Sequence, residues 1–226
     1  MDVDLTLIRH TGFFNPVEQH STNVIVYGAG SVGSHVMYEL AKLGVKSLEV
    51  IDFDTVEIHN IGNQFYRMSD VGESKVVRLK SNIKEFTNKD IHSNHLEITE
   101  DTELNIAMNS CHIMTFDNIE ARRLVFNKLK GFPVDLIDVR AGGEGWELFE
   151  VRMDNPVECE RFEKTLYYEG YSEDKCGEQT VCYNVLALAS EVVNQFKRLN
   201  KKQQRPDRIR REMGSTIMIA SKYKER

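Results

Sequence analysis

Residues 24–54 read VIVYGAGSVGSHVMYELAKLGVKSLEVIDFD, and this stretch decides the fold. Residues 24–27 form a short apolar run of the buried-strand type, and Val32, Val36, Leu40 and Leu43 recur at helical spacing. Gly44 fits the position just past that helix, and residues 48–51 make a second buried strand. Between strand and helix stands Gly28-Ala29-Gly30-Ser31-Val32-Gly33, a G-x-G-x-x-G. Glycines there permit a tight turn and a close approach of backbone to phosphate, while the helix N-terminus presents unpaired N–H groups and a partial positive charge. Asp52 follows Gly33 by 19 residues, at the end of the second strand, where it is placed to hydrogen-bond a ribose. Strand before, helix after and an acid at that distance together imply a bound nucleotide. They do not say which one, because a dehydrogenase would show the same turn and acid.

Outward from this unit the alternation continues. Asp70 is expected to cap a helix over about 71–88, with Val76, Leu79, Ile83 and Phe86 on one face. Residues 96–99 read as a strand, 104–108 as a short helix, 113–116 as a strand, 119–130 as a helix and 136–139 as a strand. Such alternation predicts an α/β fold of Rossmann-like type, a mostly parallel sheet with helices on both faces. Beyond Arg140 a strand over 146–151, a charged irregular stretch over 154–175, a long helix over 181–199 and a last strand over 216–220 add antiparallel strands C-terminally. The expected organisation is one domain over 1–226, with a core over 23–151 and an extension over 152–226.

Composition bounds the function. The chain has 226 residues, 41% of them hydrophobic, which is enough for a proper core. A net charge of −6 argues against a global electrostatic grip on nucleic acid. No stretch approaches the 18 or so apolar residues of a membrane span, and the first residues lack the basic and then apolar run of a secretory leader, so a cytoplasmic protein is expected. The four cysteines Cys111, Cys159, Cys176 and Cys182 contain no C-x-x-C pair, which disfavours a structural zinc site. Residues 197–211 hold eight Lys/Arg against Asp207 alone, and read as a solvated helix end and linker.

Four further motifs follow in order. Asp52-Phe53-Asp54 ends the second strand, Asn60-Ile61-Gly62-Asn63-Gln64 comes next, Gly72-Glu73-Ser74-Lys75 opens the next helix, and Asp117-Asn118-Ile119-Glu120-Ala121-Arg122 follows the fourth strand. In this the chain closely resembles the adenylation domain of the ThiF/MoeB/ubiquitin-activating family, over 23–151 and more loosely to the final strand. The resemblance implies an ATP- and magnesium-dependent adenylyltransferase. Its substrate would be the C-terminal carboxylate of a small ubiquitin-like or sulfur-carrier protein. Gly28, Gly30, Gly33, Asp54 and Gln64 would bind the nucleotide, with Asp52 on its ribose, Asn60 and Lys75 on its phosphates, and Asp117 on the magnesium. The family is dimeric, so a homodimer is implied, with Arg9 as the candidate for an arginine offered to the partner's site. Where the family has arginine this chain has Asn63, and Arg67, four residues on, would share a helical face with it and substitute. Cys176, beside Lys175 and ahead of the long helix, corresponds to a thioester-forming cysteine of some members. Cys182 and Cys111 read as core, and Cys159 as a thiol disfavoured by surrounding acids. Two other readings stay open: an NAD-dependent oxidoreductase, which leaves residues 60–64 and 72–75 without a task, and a nucleotide-binding pseudoenzyme or partner-binding module, which Asn63 motivates.

Overall fold

A computed structural model describes residues 5–10, 12–15, 23–142, 145–167, 180–204, 206–212 and 218–221. Its frame is one eight-stranded sheet in the order β3-β2-β1-β4-β5-β6-β7-β8. The strands are β1 (Val24–Tyr27), β2 (Leu48–Asp52), β3 (His92–His95), β4 (Cys111–Met114), β5 (Asp135–Gly142), β6 (Gly145–Arg152), β7 (Arg208–Glu212) and β8 (Met218–Ser221). The first five run parallel and the last three pair antiparallel beyond them. The helices are α1 (Ser31–Leu43), α2 (Lys75–Thr87), α3 (Ile119–Leu129), α4 (Pro156–Leu166) and α5 (Cys182–Asn200).

Period-two side chains distribute each central strand between two cores. Val24 and Val26 of β1 pack with Val36, Leu40, Leu79, Leu188 and Phe196, whereas Ile25 and Tyr27 pack with Phe126, Leu129 and Phe162. Helices α1, α2 and α5 therefore cover one face and α3 and α4 the other. α1 stops at Gly44, whose left-handed φ of 92° lets its amide close onto the carbonyls of Ala41 and Leu40.

Several expectations need correction. The third parallel strand is His92–His95, not 96–99: it is an edge strand, mostly exposed, so backbone pairing to β2 defines it without an apolar run. No helix forms over 104–108. The stretch taken as irregular contains α4, which buries Cys159, Phe162 and Leu166 along one side and is capped by Asn155, whose side chain accepts from the amides of Val157 and Glu158. The basic stretch includes β7, where Arg208 pairs with Glu147 of β6. Asp70 is not a helix cap. Its buried carboxylate accepts from the Arg67 amide, Arg78 and Asn82. Burial alone would raise that carboxyl, but these donors outweigh it and hold it below the usual range.

α2 begins at Lys75 because residues 71–74 form a turn instead. Gly72 sits at φ 91°, Thr55 and Ser74 form an isolated antiparallel bridge, and the Lys75 amide donates to the Asp54 carbonyl at 3.0 Å. That pairing delivers Lys75 to the end of β2.

Candidate nucleotide site

The loop from β1 to α1 is held from three directions. Gly28 takes φ 101°, and a Cβ on Gly33 would lie 1.9 Å from the Gly28 carbonyl oxygen, so both must lack a side chain. Thr115, just past β4, donates its hydroxyl to the carbonyls of Tyr27 and Gly28 at 2.9 and 3.0 Å. Asp52 accepts from the Ala29 amide at 2.6 Å through one oxygen and from the Asp54 amide at 2.7 Å through the other. Asp52 thus anchors the turn. From behind, the buried Tyr66 hydroxyl donates to the Ala29 carbonyl at 2.7 Å.

In front of the turn lies an open cleft of about 1240 Å³, walled by Gly28, Gly30, Asp52, Asp54, Asn60, Asn63, Gln64, Lys75, Thr115, Asp117, Val139, Thr180 and Cys182 among others. It sits at the carboxyl ends of the parallel strands, where open α/β sheets bind ligands. Lys75 reaches it with its stem buried and its ammonium 2.7 Å from a carboxylate oxygen of Asp54, a residue half exposed. Asn60 is buried and accepts from the Glu57 amide at 2.8 Å, which closes the short 3-10 turn Ile58–Gly62. Gln64 lines the cleft and carries a buried side-chain oxygen with no donor among the described residues.

Asp117 is exposed on the cleft wall and makes no hydrogen bond or ion pair with a described residue. Asn118 does the capping instead, accepting from the amides of Glu120 and Ala121. Arg122 steadies the turn from inside: fully buried, it pairs with Asp138, bonds the carbonyl of Phe116 and donates to the Val139 carbonyl at 2.8 Å. The Asp117–Arg122 motif therefore divides its labour. Asn118 and Arg122 fix the backbone, and Asp117 is left facing the cleft.

The structure does not bring Arg67 to this cleft. Residues 63–67 are not helical, Arg67 has φ −104° and ψ 160°, and its guanidinium pairs with Glu85 at 2.7 Å and lies over the Phe86 ring. Asn63 itself ties elsewhere: its side-chain amide donates to the Thr180 carbonyl at 3.3 Å, and its own carbonyl bonds His35 Nε2 at 3.2 Å. Cys182 is not core. It is the first residue of α5, exposed on the cleft wall. Cys111 and Cys159 are buried, and burial, more than the neighbouring acids, raises the Cys159 thiol. Cys176 lies outside the described residues. Arg9 is exposed and does not line the cleft of its own chain. The sequence reading missed Tyr66 and Thr115, since a single tyrosine or threonine carries no spacing signal. The Asn118 cap was missed too, although its place one residue before an amphipathic run is that of an N-cap.

A glycine turn feeding a helix N-terminus at the switch between β1 and β4 defines a Rossmann-like α/β domain. The chain belongs to the ThiF family, whose profile matches residues 16–145. It is 32% identical over 128 residues to the NEDD8-activating enzyme E1 catalytic subunit of Dictyostelium discoideum, covering 56% of this chain and 28% of that protein. It is 28% identical over 173 residues to ubiquitin-like modifier-activating enzyme 5 of Caenorhabditis briggsae, covering 75% and 36%. The chain therefore spans between 28% and 36% of the length of these relatives. In fold it is similar to E. coli MccB crystallised with MccA, with a TM-score of 0.74 at 14% identity over 92% of this chain and 66% of that one. It is also similar to PaaA, with a TM-score of 0.73 at 16% identity over 92% and 65%.

Proposed function

We propose that this chain binds ATP in the cleft and adenylates a carboxylate, the C-terminus of a small ubiquitin-like or sulfur-carrier protein. The observation that carries the proposal is the convergence of the glycine turn, Lys75 and an unengaged Asp117 on one cleft at the strand ends. The names of the relatives support the substrate class, and E. coli MccB has been crystallised with ATP.

The chemistry is a displacement at phosphorus. A carboxylate oxygen bonds to the α-phosphorus, the bond from that phosphorus to the bridging oxygen breaks, and pyrophosphate leaves. The attacking group is already anionic, so no general base is needed. The barrier is the crowding of negative charge, which oriented donors and cations lower. The amides that open α1 have no acceptor within the helix and would hold phosphate oxygens. Asp52 would hold the ribose. Asn60, Gln64 and Lys75 would steady the polyphosphate, Lys75 turning from Asp54 toward it.

The cleft walls fit magnesium that arrives with the nucleotide better than a resident ion. Carboxylates on the walls are Asp52, Asp54, Glu57, Glu97, Glu100, Asp117 and Glu120, and the cations Lys75 and Arg122 are each already paired. A triphosphate entering so acidic a cleft needs a counter-cation. Among the described residues no three His, Cys, Asp or Glu side chains group into a metal cage. Magnesium suits that arrangement, since it keeps several waters and is held by one or two carboxylates together with substrate phosphates. Asp117 would be its protein ligand, and the ion would supply charge neutralisation at the phosphates.

A homodimer remains part of the proposal by the family resemblance. One observation favours a second reading, a nucleotide-binding module without turnover: Asn63, where the family carries arginine, is engaged with Thr180. The test is ATP–pyrophosphate exchange dependent on added carboxylate protein, alongside titration with ATP·Mg and with NADH. Exchange supports adenylation. Tight ATP·Mg binding without exchange for any partner supports the module, and NADH binding in preference to ATP overturns both.

A further inference from the structure

We propose that Tyr66 is a positioning residue: its hydroxyl locks the orientation of the Ala29–Gly30 peptide and so sets how firmly the glycine turn grips a phosphate. The inference rests on reading the cleft as a nucleotide site. The geometry is that of a single planar trans peptide, in which the carbonyl of one residue and the N–H of the next point in opposite directions. The Ala29 carbonyl is drawn inward to the Tyr66 hydroxyl at 2.7 Å. The Gly30 N–H must therefore aim away from Tyr66, and Gly30 lies on the cleft wall with nothing within 4 Å of the position a Cβ would take.

The preceding peptide is fixed the same way. The Ala29 N–H points to Asp52 at 2.6 Å, and the Gly28 carbonyl is taken by Thr115 at 3.0 Å. Both peptides flanking Ala29 are thus oriented by side chains from three separate segments. The Gly28–Ala29 peptide keeps Asp52 if Thr115 is lost, whereas the Ala29–Gly30 peptide is held among the described residues by Tyr66 alone, so loss of Tyr66 frees its carbonyl to turn outward. A peptide beside glycine flips readily, because glycine occupies both halves of φ space at little cost. A flipped Ala29 carbonyl would present a negative dipole where the Gly30 N–H now offers a positive one. Tyr66 is suited to the task. It is buried at 7% exposure, and burial followed by the fields of Asp52, Asp70 and Asp54 pushes its phenol well above the ordinary range, so it remains a donor.

The experiment compares wild type with Tyr66→Phe, which keeps the ring and removes only the hydroxyl, by calorimetric titration with ATP·Mg and with adenosine. Loss of the lock weakens ATP·Mg on the order of five- to tenfold, the worth of one neutral hydrogen bond. Adenosine, which has no phosphate to contact the turn, stays within about twofold. Tyr66→Leu is the second variant and shows the same selectivity, because the hydroxyl and not the ring is at issue. In the exchange assay the KM for ATP rises while kcat holds. Equal weakening of both ligands would mean that Tyr66 only supports packing, and unchanged ATP·Mg binding in Tyr66→Phe would overturn the lock while leaving the nucleotide site standing. Failure of wild type to bind ATP·Mg at all would remove the nucleotide site and the lock together.

Discussion

Lys75 and Asp54 are joined twice: the Lys75 amide donates to the Asp54 carbonyl at 3.0 Å, and its ammonium lies 2.7 Å from the Asp54 carboxylate. The backbone bond fixes where the side chain starts, and the ion pair holds its tip at the mouth of the cleft. Side-chain exposures are 9% for Lys75 and 49% for Asp54, so the carboxylate can rehydrate if its partner goes. Lys75→Met keeps the buried stem and removes the charge. The expected result is a small change in melting temperature with a ten- to hundredfold loss of ATP·Mg affinity, the scale of one charge-assisted phosphate contact of about 1.5–3 kcal/mol. Affinity equal to wild type would leave Lys75 as no more than the partner of Asp54.

Asp117 and Asn118 are neighbours with separable tasks. Asn118 caps α3 and Asp117 bonds to no described residue. Asn118→Ala should lower stability by about 1 kcal/mol in urea unfolding. Asp117→Asn should leave stability within about 0.5 kcal/mol, as an exposed surface change does, and abolish magnesium-dependent exchange. A stability loss from Asp117→Asn matching that of Asn118→Ala would show that the two share the cap.

The central strands and α1 were readable because their apolar residues fall into periods of 2 and 3.6 and glycine punctuates their ends. β3 was misplaced because an exposed edge strand needs only backbone pairing, which His92–His95 obtains from β2 while Leu96 and Ile98 instead line the cleft. α4 was hidden by its charges, although Cys159, Phe162 and Leu166 carried a helical stripe through them. At the site, the residues on the glycine turn and at strand ends were legible from motif spacing. Arg67 was not, since its assignment assumed a helix over 63–67, where the chain instead turns at 63–65 and reaches the 3-10 turn Met68–Asp70 with Arg67 extended. Tyr66 and Thr115 act through tertiary hydrogen bonds to residues 37 and 88 positions away along the chain, and no local pattern encodes such distances.

On β4, His112 is wholly buried between two hydroxyls, Tyr27 of β1 on Nδ1 at 2.8 Å and Ser110 on Nε2 at 2.8 Å. A neutral ring matches them with one donor and one acceptor. Burial pushes its pKa from 6.5 down to about 4. The unfolded chain therefore takes up a proton near pH 6.5 that the folded chain refuses until about pH 4. Stability falls as pH drops through that window, by up to about 1.4 kcal/mol per pH unit. Unfolding free energies at pH 7 and pH 5 should differ by roughly 2 kcal/mol more in wild type than in His112→Gln, which has no titrating ring. The same pH difference in both proteins would assign the loss to other groups.

Gly33 and Gly30 belong to one motif and forbid a side chain for different reasons. A Cβ on Gly33 would lie 1.9 Å from the Gly28 carbonyl oxygen and 2.5 Å from the Thr115 hydroxyl, so α1 would have to move off β1. A Cβ on Gly30 meets no atom within 4 Å, but its ψ of −148° at φ −77° lies outside the regions alanine ordinarily adopts. Gly33→Ala should cost about 3 kcal/mol or more in unfolding free energy, at the upper end of overpacking, and lose nucleotide binding as a consequence. Gly30→Ala should cost less than Gly33→Ala, about 1 kcal/mol, since only backbone strain at that ψ opposes the methyl. It should nonetheless weaken ATP·Mg about tenfold or more, since the added methyl occupies the space through which phosphate reaches the turn. Equal affinity for ATP·Mg in Gly30→Ala and wild type would mean that phosphate does not approach this glycine, and the motif would then be a packing device between strand and helix.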